Sequence, residues 1–493
     1  MPALNRSTLP AGHLIGASAP ATPGIVHIGI GNFHRAHAAA YTAQAMASAG
    51  GDWGIVGVAN RNHRVVDPLA AQDHLYSVLE LSPEGERADI LDVHRKTLVA
   101  AEQTDELLDE IAAPTTKIVT LTISENGYHV DPASGRLAVG SDPVKADLAS
   151  PAPTTTIGQI ARGLQRRFER GGDPVSVLSC DNMQSAGHTT AAMVTQFLEA
   201  AHASDDMLDW VASSVAFPNA MVDRIVPGTT DATRDKVRAL LGVDDAIPVP
   251  AEKFTMWVIE DHFAAGRPAW ESAGATFSDE VEKYELVKLR LLNGSHSLIA
   301  YLGGLDGDPT IPSARDQEFV ASCVDAAIRQ EYLPSIELPT GFDADAYIAQ
   351  LFDRWRNHAL GDHTARVGSD GSTKLLQRVP LPALRMLEAG QIPHQLALTV
   401  ASWICCVAPP AGFAPGPIAD AMIEPARERL ARTTADATGV RAHVESILRG
   451  GFFPSELAAR DEFTARVADL AELIVRDGVR QAAAEALASG RPS

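Results

Sequence analysis

Cysteine is scarce in this chain: there are four among 493 residues, Cys180, Cys323, Cys405 and Cys406. No two have the C-x-x-C spacing of a redox or zinc motif, and four scattered cysteines do not form the disulfide framework of a small secreted protein. We expect Cys405 and Cys406 to be small core residues within the apolar run 400–407. The simplest interpretation is a protein of the reducing cytoplasm.

Basic residues are outnumbered by acidic ones, and long apolar runs are absent. There are 41 Lys and Arg residues against 62 Asp and Glu, which gives a net charge of -21. This excess of negative charge argues against nucleic acid and anionic membranes as partners. No run approaches the ~18 apolar residues of a membrane span, and the N-terminus lacks the basic and apolar regions of a signal peptide.

Short apolar runs alternate with helical patterns in the first half of the chain. Residues 1–23 are predicted to be an irregular leader. The runs 24–29, 53–59, 117–124 and 175–181 are rich in β-branched residues and predict buried strands. Helices are predicted between them, at about 33–49, 155–171 and 188–203. This order predicts an α/β fold with a Rossmann-like, doubly wound and mostly parallel sheet.

The second half of the chain predicts helices instead. Strand-like runs become scarce after about residue 285, and segments rich in Ala, Leu, Arg and Glu follow at 317–331, 344–358, 381–390, 394–407, 417–433 and 456–488. We therefore predict a dinucleotide-binding domain at 1–284 and a mainly α-helical, substrate-binding C-terminal domain at 285–493. Substrate sites often lie in the cleft between such domains.

A glycine-rich turn follows the first predicted strand. Residues 29–37 read GIGNFHRAH, directly after a strand and at the start of a helix. Glycines at 29 and 31 let the backbone approach a pyrophosphate, although His34 occupies the place of the usual third glycine. The turn favours dinucleotide binding. His34 and His37 have metal-ligand spacing but no third ligand nearby, so we predict no metal.

The second predicted strand ends without the acidic residue that grips the ribose 2′-hydroxyl of NAD. Residues 59–64 read ANRNHR instead. Such a cluster tolerates a 2′-phosphate, so the sequence leaves NADP open beside NAD, and a solvated loop is an equally good interpretation.

The segment 288–296, KLRLLNGSH, places an amine, a carboxamide and an imidazole close together. Its apolar neighbours predict a poorly solvated Lys288, and desolvation lowers the pKa of a lysine, as a general base for an alcohol requires. Asn293 can hold a developing oxyanion and His296 can orient another hydroxyl. In an unbroken α-helix, Lys288 and His296 would lie roughly 12 Å apart. The alternative is a core helix with a snorkelling lysine and a satisfied histidine.

Glu285 lies three residues before Lys288, about one helical turn away. One interpretation is that it relays the lysine's proton to solvent. The other is an exposed i, i+3 ion pair.

Four ordered motifs together resemble the polyol-specific long-chain dehydrogenases, a family that includes mannitol 2-dehydrogenases and mannonate (fructuronate) oxidoreductases. They are GIGNFHRAH at 29–37, SCDN at 179–182, FPNAMVDRIVP at 217–227 and KLRLLNGSH at 288–296. A shorter similarity, VGSDG, lies at 367–371. After SCDN the chain departs from many relatives, because it reads MQSAG where they carry Leu-Pro or a glutamate.

The resemblance implies a zinc-independent, NAD(P)-dependent interconversion of a secondary alcohol and a ketose. It implies that Lys288 is the catalytic base, that Asn182 and Asn293 stabilise the oxyanion, and that His296 orients the substrate. It further implies substrate contacts by Asp223, Arg224, Arg366 and Lys374. The predicted cofactor-binding residues are Ile28, Gly29, Ile30, Gly31, Asn32, Phe33, His34, Arg35, Asn60 and Arg61.

The leading hypothesis is a mannitol 2-dehydrogenase type of enzyme that acts as a monomer on a small polyol or ketose. Fructuronate reductase (D-mannonate oxidoreductase) and D-arabinitol 4-dehydrogenase are the alternatives within the family. A nucleotide-sensing protein without turnover is the alternative from another class, and the intact set of polar residues at 182, 288, 293 and 296 argues against it. A metal-dependent alcohol dehydrogenase is disfavoured because no ligand cluster has zinc spacing.

Overall fold

The computed structural model describes residues 1–16, 22–132 and 134–490. The chain folds into two compact units, Met1–Glu282 and Lys283–Ser493. The strands lie in the first unit: β1 Leu14–Gly16, β2 Pro23–Ile28, β3 Gly54–Ala59, β4 Tyr76–Ser82, β5 Gly85–Asp92, β6 His94–Val99, β7 Ile118–Leu121, β8 Val175–Ser179, β9 Val215–Ala216, β10 Ala220–Asp223, β11 Val249–Glu252, β12 Met256–Ile259 and β13 Thr276–Phe277.

A six-stranded parallel sheet, in the order β6-β3-β2-β7-β8-β9, forms the centre of the first unit. Numbered within this sheet alone, the strand order is 3-2-1-4-5-6, as in dinucleotide-binding folds. The order reverses between β2 and β7, so the crevice for a ligand opens at their carboxyl ends. The prediction of a Rossmann-like sheet is therefore confirmed.

Side chains of the sheet alternate between two hydrophobic cores. Ile25 of β2 packs into one core, whereas Val26 and Ile28 pack into the other. A strand buried on both faces needs such a continuous apolar sequence. The helices of the first unit are α1 Asn32–Ala36, α2 Ala38–Ala49, α3 Val66–Ala71, α4 Thr104–Ala112, α5 Asp142–Leu148, α6 Thr156–Glu169, α7 Ala186–Ala200, α8 Asp205–Ser214 and α9 Asp231–Leu241.

Two smaller sheets complete the first unit, in the orders β1-β5-β4-β11 and β10-β12-β13. The prediction of an irregular leader at 1–23 is wrong for part of that range. Leu4 is fully buried, and β1 pairs in parallel with β5. Positions 17–21 of the predicted leader lie outside the described residues. The predicted helix at 33–49 is interrupted at His37, where the backbone leaves helical geometry.

The second unit is mainly helical, as predicted, and its described residues contain no strand beyond an isolated bridge between Thr310 and His363. Helix α10, Val281–Val287, begins just before it, and the others are α11 Ser295–Asp306, α12 Ile311–Asp316, α13 Glu318–Ala326, α14 Ala344–Trp355, α15 Thr364–Gly368, α16 Gly371–Arg378, α17 Pro380–Glu388, α18 His394–Val407, α19 Pro417–Asp420, α20 Arg427–Thr433, α21 Gly439–Ile447, α22 Ser455–Ala458, α23 Asp461–Asp477 and α24 Val479–Ser489. Helix α18 is buried nearly all round, and Cys405 and Cys406 lie in its core with free thiols.

Membrane-spanning helices and clustered metal ligands are both absent from the described residues. No helix in this part of the chain is both long and apolar enough to cross a bilayer. Nor do the described residues include a group of three or more His, Cys, Asp or Glu side chains that could hold a metal ion.

Candidate active site

The glycine turn after β2 lies at the crevice of the parallel sheet. Gly29 has a φ of +106°, and a Cβ there would lie 2.1 Å from the carbonyl oxygen of Thr122, so only glycine fits. Gly31 differs: a Cβ there would have the carbonyl oxygen of Gly29 at 3.9 Å as its nearest neighbour. Packing of the protein therefore requires a glycine at 29 but not at 31. The open space at Gly31 fits the close approach of a pyrophosphate to the backbone.

Three buried histidines form a cluster next to this turn. The rings of His27 on β2 and His34 on α1 stack with centroids 3.3 Å apart, and Nε2 of His34 lies 3.1 Å from Nε2 of His94 on β6. Nε2 of His27 also lies 3.1 Å from the carbonyl oxygen of Gly29. Burial lowers the pKa of His27 to about 3 and holds the pKa values of His34 and His94 well below the usual range. The cluster is therefore neutral at physiological pH.

Acid is expected to destabilise the fold through these three imidazoles. Their contribution to the free energy of unfolding is complete above the pKa of about 6.5 that histidine has in the unfolded chain. It is lost as the pH falls, because the unfolded chain then binds protons that the folded chain does not. For His27 the loss continues to about pH 3. Replacing His34 by Phe keeps an aromatic ring but removes one titrating group. We expect the variant to lose less stability on acidification, by up to about 1.4 kcal/mol per pH unit.

Urea unfolding between about pH 7 and pH 5 measures this difference. His358→Phe is the matched control, because the His358 side chain is 62% exposed and pairs with Asp316 at the surface. Equal pH slopes for His34→Phe and His358→Phe would contradict a neutral buried cluster.

Of the other predicted cofactor residues, Ile28 and Ile30 are buried and Phe33 is half-buried, and the polar ones fall into two groups. Asn32 and Arg35 bind to protein atoms, since Arg35 donates to Oδ1 of Asn32 and to the carbonyl oxygen of Ile247, both at 2.6 Å. The side chains of His34 and Arg35 are buried, so we expect any contact of these two with a dinucleotide to be made by the main chain. Asn60 and Arg61 are exposed directly after β3, where a ribose is expected.

Lys288 begins a π-helical segment, Lys288–Gly294, between α10 and α11. The separation of roughly 12 Å that an unbroken α-helix would give therefore does not apply to this segment. Residues five apart lie about 140° apart around an α-helix, whereas the i→i+5 hydrogen bonds of a π-helix place them in adjacent turns. This brings Lys288 and Asn293 toward one face of the segment. π-helical segments are rare and frequently mark functional sites.

The apolar residues that adjoin Lys288 in the sequence are buried. Val287, Leu289, Leu291 and Leu292 are all buried, while Lys288 itself is half-buried. Glu285 is also buried, so its alternative interpretation as an exposed ion pair is wrong. His296 is half-buried in α11, with its ring centroid 5.8 Å from that of Trp355. One continuous helical stretch therefore carries these polar groups and Asn293.

In the first unit, Asn182 is exposed at the end of β8, and the residue before it anchors that end. The buried carboxylate of Asp181 accepts hydrogen bonds from the main-chain N–H groups of Ile123 (2.8 Å) and Ser124 (2.9 Å) and from the hydroxyl of Tyr128 (2.7 Å). These bonds tie the carboxyl end of β8 to that of β7. Asn182 is thereby held at the crevice edge of the sheet.

The FPNAMVDRIVP motif contains β10 and a helix cap. Oδ1 of Asn219 accepts from the main-chain N–H of Gly187 at 2.9 Å, at the start of α7. Asp223, predicted to contact the substrate, is buried at the end of β10. Arg224 donates from Nε and Nη2 to the carbonyl oxygen of Glu252 and from Nη1 to that of Ala36. These contacts describe a structural arginine, and a substrate contact by Arg224 stays a prediction.

The VGSDG segment lies in the second unit, between α15 and α16. The side chain of Arg366 is 66% exposed and pairs with Asp362. Nζ of Lys374 donates to the carbonyl oxygens of Ser369 at 2.7 Å and Val367 at 3.3 Å. Burial, followed by the positive charge of Arg378, lowers the pKa of Lys374 to about 8. Lys374 is therefore a half-buried amine that titrates near physiological pH.

Family models match both units of the chain. Residues 23–272 match the mannitol dehydrogenase Rossmann domain, and residues 280–474 match the mannitol dehydrogenase C-terminal domain. The chain belongs to the mannitol dehydrogenase family. The predicted resemblance is thus confirmed, and with it the class of oxidoreductase whose Rossmann domain takes a nicotinamide cofactor.

Individual family members are similar over most of their length. D-mannonate oxidoreductase of Escherichia coli K12 is 40% identical over 386 residues, 77% of this chain and 79% of the relative. Mannitol 2-dehydrogenase of Cereibacter sphaeroides is 39% identical over 387 residues, 78% of this chain and 80% of the relative. The solved mannitol 2-dehydrogenase of Pseudomonas fluorescens, in a ternary complex with NAD and D-mannitol, superposes with a TM-score of 0.86 at 32% identity and covers 98% of this chain and 99% of its own.

Several residues that build this site in a mannitol dehydrogenase fold carry no clear signal in the sequence. His27 and His94 lie 67 positions apart, and both contact His34 only because their strands, β2 and β6, flank β3 in the sheet. Asp181 and Asn219 belong to recognisable motifs, but nothing in those motifs indicates which main-chain groups they bind. The contacts of Arg378 with Asn293 and Ser297 could not be predicted, because a lone arginine near the end of a helix usually binds solvent or the last carbonyls of that helix.

Proposed function

We propose that this protein is an NAD-dependent polyol dehydrogenase whose substrate pair is D-mannitol and D-fructose. The observation that carries the proposal is the similarity over nearly the whole chain to a mannitol 2-dehydrogenase solved with NAD and D-mannitol. The apolar surroundings of Lys288 and its place at the head of the π-helical segment are consistent with a proton-accepting amine.

The proposed mechanism assigns one task to each polar group of the second unit. Bound NAD supplies the hydride acceptor. Lys288 accepts the proton of the substrate hydroxyl, because the carbon can lose hydride only as alkoxide character develops. The Asn293 carboxamide donates to that oxygen without titrating itself, and the His296 imidazole orients a neighbouring hydroxyl. The buried Glu285, about one turn before Lys288, passes the proton on toward solvent.

In the first unit, we assign the pyrophosphate to the turn at Gly29 and Gly31. The open space beside Gly31 is what such a group needs, and the Gly29 carbonyl is fixed by Thr122 Oγ1 at 2.7 Å as well as by His27. Asn182 retains its predicted role as an oxyanion donor, and Asp223 as a substrate contact.

Fructuronate reductase is the second candidate, because the D-mannonate oxidoreductase of Escherichia coli is 40% identical. Purified protein should be assayed for formation of reduced nicotinamide with D-mannitol, D-sorbitol, D-arabinitol and D-mannonate. Turnover that is fastest with D-mannitol supports the proposal, whereas a preference for D-mannonate supports the second candidate. No turnover with any of the four would favour a nucleotide-sensing protein.

Cofactor choice is expected to depend on the exposed residues after β3. Asn60→Asp places a carboxylate where the ribose 2′-hydroxyl is expected, so it should accept from NAD and repel the 2′-phosphate of NADP. We expect the ratio of kcat/KM for NAD to that for NADP to rise by roughly tenfold or more. Asn62→Asp, two exposed residues further on, is the control. An unchanged ratio in Asn60→Asp would show that the ribose lies elsewhere.

Three further predictions stay part of this proposal. They are the division into a cofactor domain at 1–284 and a substrate domain at 285–493, a cytoplasmic location, and action as a monomer. The elution volume of the purified protein on a calibrated sizing column tests the last of these.

A further inference from the structure

Arg378, the last residue of α16, reaches the segment that carries the predicted active-site groups. Its Nη1 donates to the main-chain carbonyl oxygen of Asn293 and to Oγ of Ser297, both at 2.7 Å. Asn293 lies near the end of the π-helical segment, and Ser297 lies in the first turn of α11. One guanidinium therefore spans the point where the π-helix changes to an α-helix.

Close packing also restrains this junction. A Cβ at Gly294 would lie 2.5 Å from the ring and the hydroxyl of Tyr332, whose side chain is fully buried. The peptide that joins Asn293 to Gly294 is thus restrained by an aromatic ring that leaves room only for glycine at 294 and by a guanidinium that binds the Asn293 carbonyl. Loss of the Arg378 contact removes one of these two restraints.

The charge of Arg378 acts on a second predicted active-site residue. Lys374 lies four positions earlier, about one turn away on α16, so the two cations face the same side of the helix. The charged groups around Lys374 are Arg378 and Arg366, which disfavour its proton, and Asp370 and Asp362, which favour it. Among these charges, Arg378 has the largest effect on the pKa of Lys374. The hydroxyls of Tyr301 and Tyr332 also face the guanidinium of Arg378.

We propose that Arg378 is a positioning residue that holds the Asn293 peptide in place and acts through its charge on Lys374, one turn earlier on the same helix. The proposal rests on the proposed function for its kinetic consequences, since Asn293 is the assigned oxyanion donor and Lys374 a predicted substrate contact. A charged Lys374 only donates hydrogen bonds, whereas the neutral amine also accepts one from a substrate hydroxyl. The charge of Arg378 adds to the effect of burial and so lowers the pH at which Lys374 changes between these two modes.

The first test measures Lys374 directly and needs no substrate. The full-length apoprotein is labelled with acetic anhydride across a pH series, and the modified peptide that contains Lys374 is quantified by mass spectrometry. We expect the reactivity of Lys374 in the wild type to rise with a midpoint near pH 8. In Arg378→Gln the midpoint should move to higher pH. Arg432→Gln, which removes a 73% exposed arginine on α20, should leave the midpoint unchanged.

The second test separates the geometric contribution from the charge. Arg378→Lys keeps a positive charge but loses the fork that reaches two acceptors. We expect the labelling midpoint in Arg378→Lys to stay near that of the wild type, while kcat/KM for the polyol falls roughly 10- to 100-fold, as for loss of a hydrogen bond to a charged group. The affinity for NAD should be unchanged, because NAD is assigned to the first unit.

The outcomes distinguish this proposal from the proposed function. If the wild type turns over no polyol, the proposed function fails, and the labelling midpoints still decide whether Arg378 acts on Lys374. An unchanged midpoint in folded Arg378→Gln overturns the effect on Lys374. Wild-type kcat/KM in Arg378→Lys overturns the positioning of Asn293. If Arg378→Gln does not fold, a midpoint in Arg378→Lys well above pH 8 overturns the effect of charge.

Discussion

Replacing Lys288 by methionine is expected to lower kcat for the polyol roughly 10²- to 10⁴-fold, the usual contribution of a positioned general base. Methionine has similar length and suits the apolar surroundings formed by Val287, Leu289, Leu291 and Leu292. The fold should therefore persist. NAD should bind with wild-type affinity, because its assigned residues lie in the first unit. The expected result is an enzyme that binds its cofactor and polyol but transfers hydride very slowly.

The matched control is Lys283→Met, the same substitution five residues earlier. Lys283 is half-buried, pairs with the exposed Glu337 and has no assigned role in the reaction, so its loss should change kcat less than about twofold. Steady-state kinetics and NAD titration of both variants provide the comparison. A loss of only a few-fold in Lys288→Met would remove Lys288 as the proton acceptor.

The two glycines of the dinucleotide turn are expected to respond differently to alanine. Gly31→Ala should leave the melting temperature of the apoprotein unchanged, because its Cβ would meet only open space. It should nevertheless weaken NAD binding by roughly tenfold or more, since the new methyl group occupies the space assigned to the pyrophosphate. Gly29→Ala should destabilise the apoprotein itself, because its Cβ would collide with the carbonyl of Thr122 at a positive φ.

Melting curves with and without NAD, recorded for both variants, measure these effects. Stabilisation by a ligand that binds only the folded state reports its affinity. Loss of NAD stabilisation in Gly31→Ala with an unchanged apoprotein melting temperature is the expected pattern. Full NAD stabilisation in Gly31→Ala would show that the pyrophosphate lies elsewhere.

The parts of the fold that could be predicted from sequence are those whose burial is continuous. Strands β2, β3, β7 and β8 are buried on both faces and so read as apolar runs. Strands β5 and β6 could not be predicted, because GERADILD and HRKTLV mix charged with apolar residues in a way that simple alternation does not capture. Three-residue β1 is too short to carry any period, and its structure comes from pairing with β5.

Candidate site residues could be proposed from the sequence where a motif carries its own chemistry, as at Lys288 and Gly29. The geometry of the site could not be predicted. The sequence KLRLLNG suits an ordinary α-helix, and the π-helical register coincides with the contact between Gly294 and Tyr332, a residue 38 positions away. The inward direction of His34 and Arg35 depends likewise on distant partners, His94 and Ile247. Tertiary contacts of this kind leave no local pattern.

Hydride transfer from a polyol carbon is the central claim, and isotope transfer tests it most directly. The protein is incubated with NAD and D-mannitol deuterated at carbons 2 and 5, and the reduced dinucleotide is examined by mass spectrometry. We expect each molecule of reduced dinucleotide to carry a single deuterium. Reduced dinucleotide that carries no deuterium would contradict hydride transfer from the polyol. So would a failure to form reduced dinucleotide from this or any other polyol.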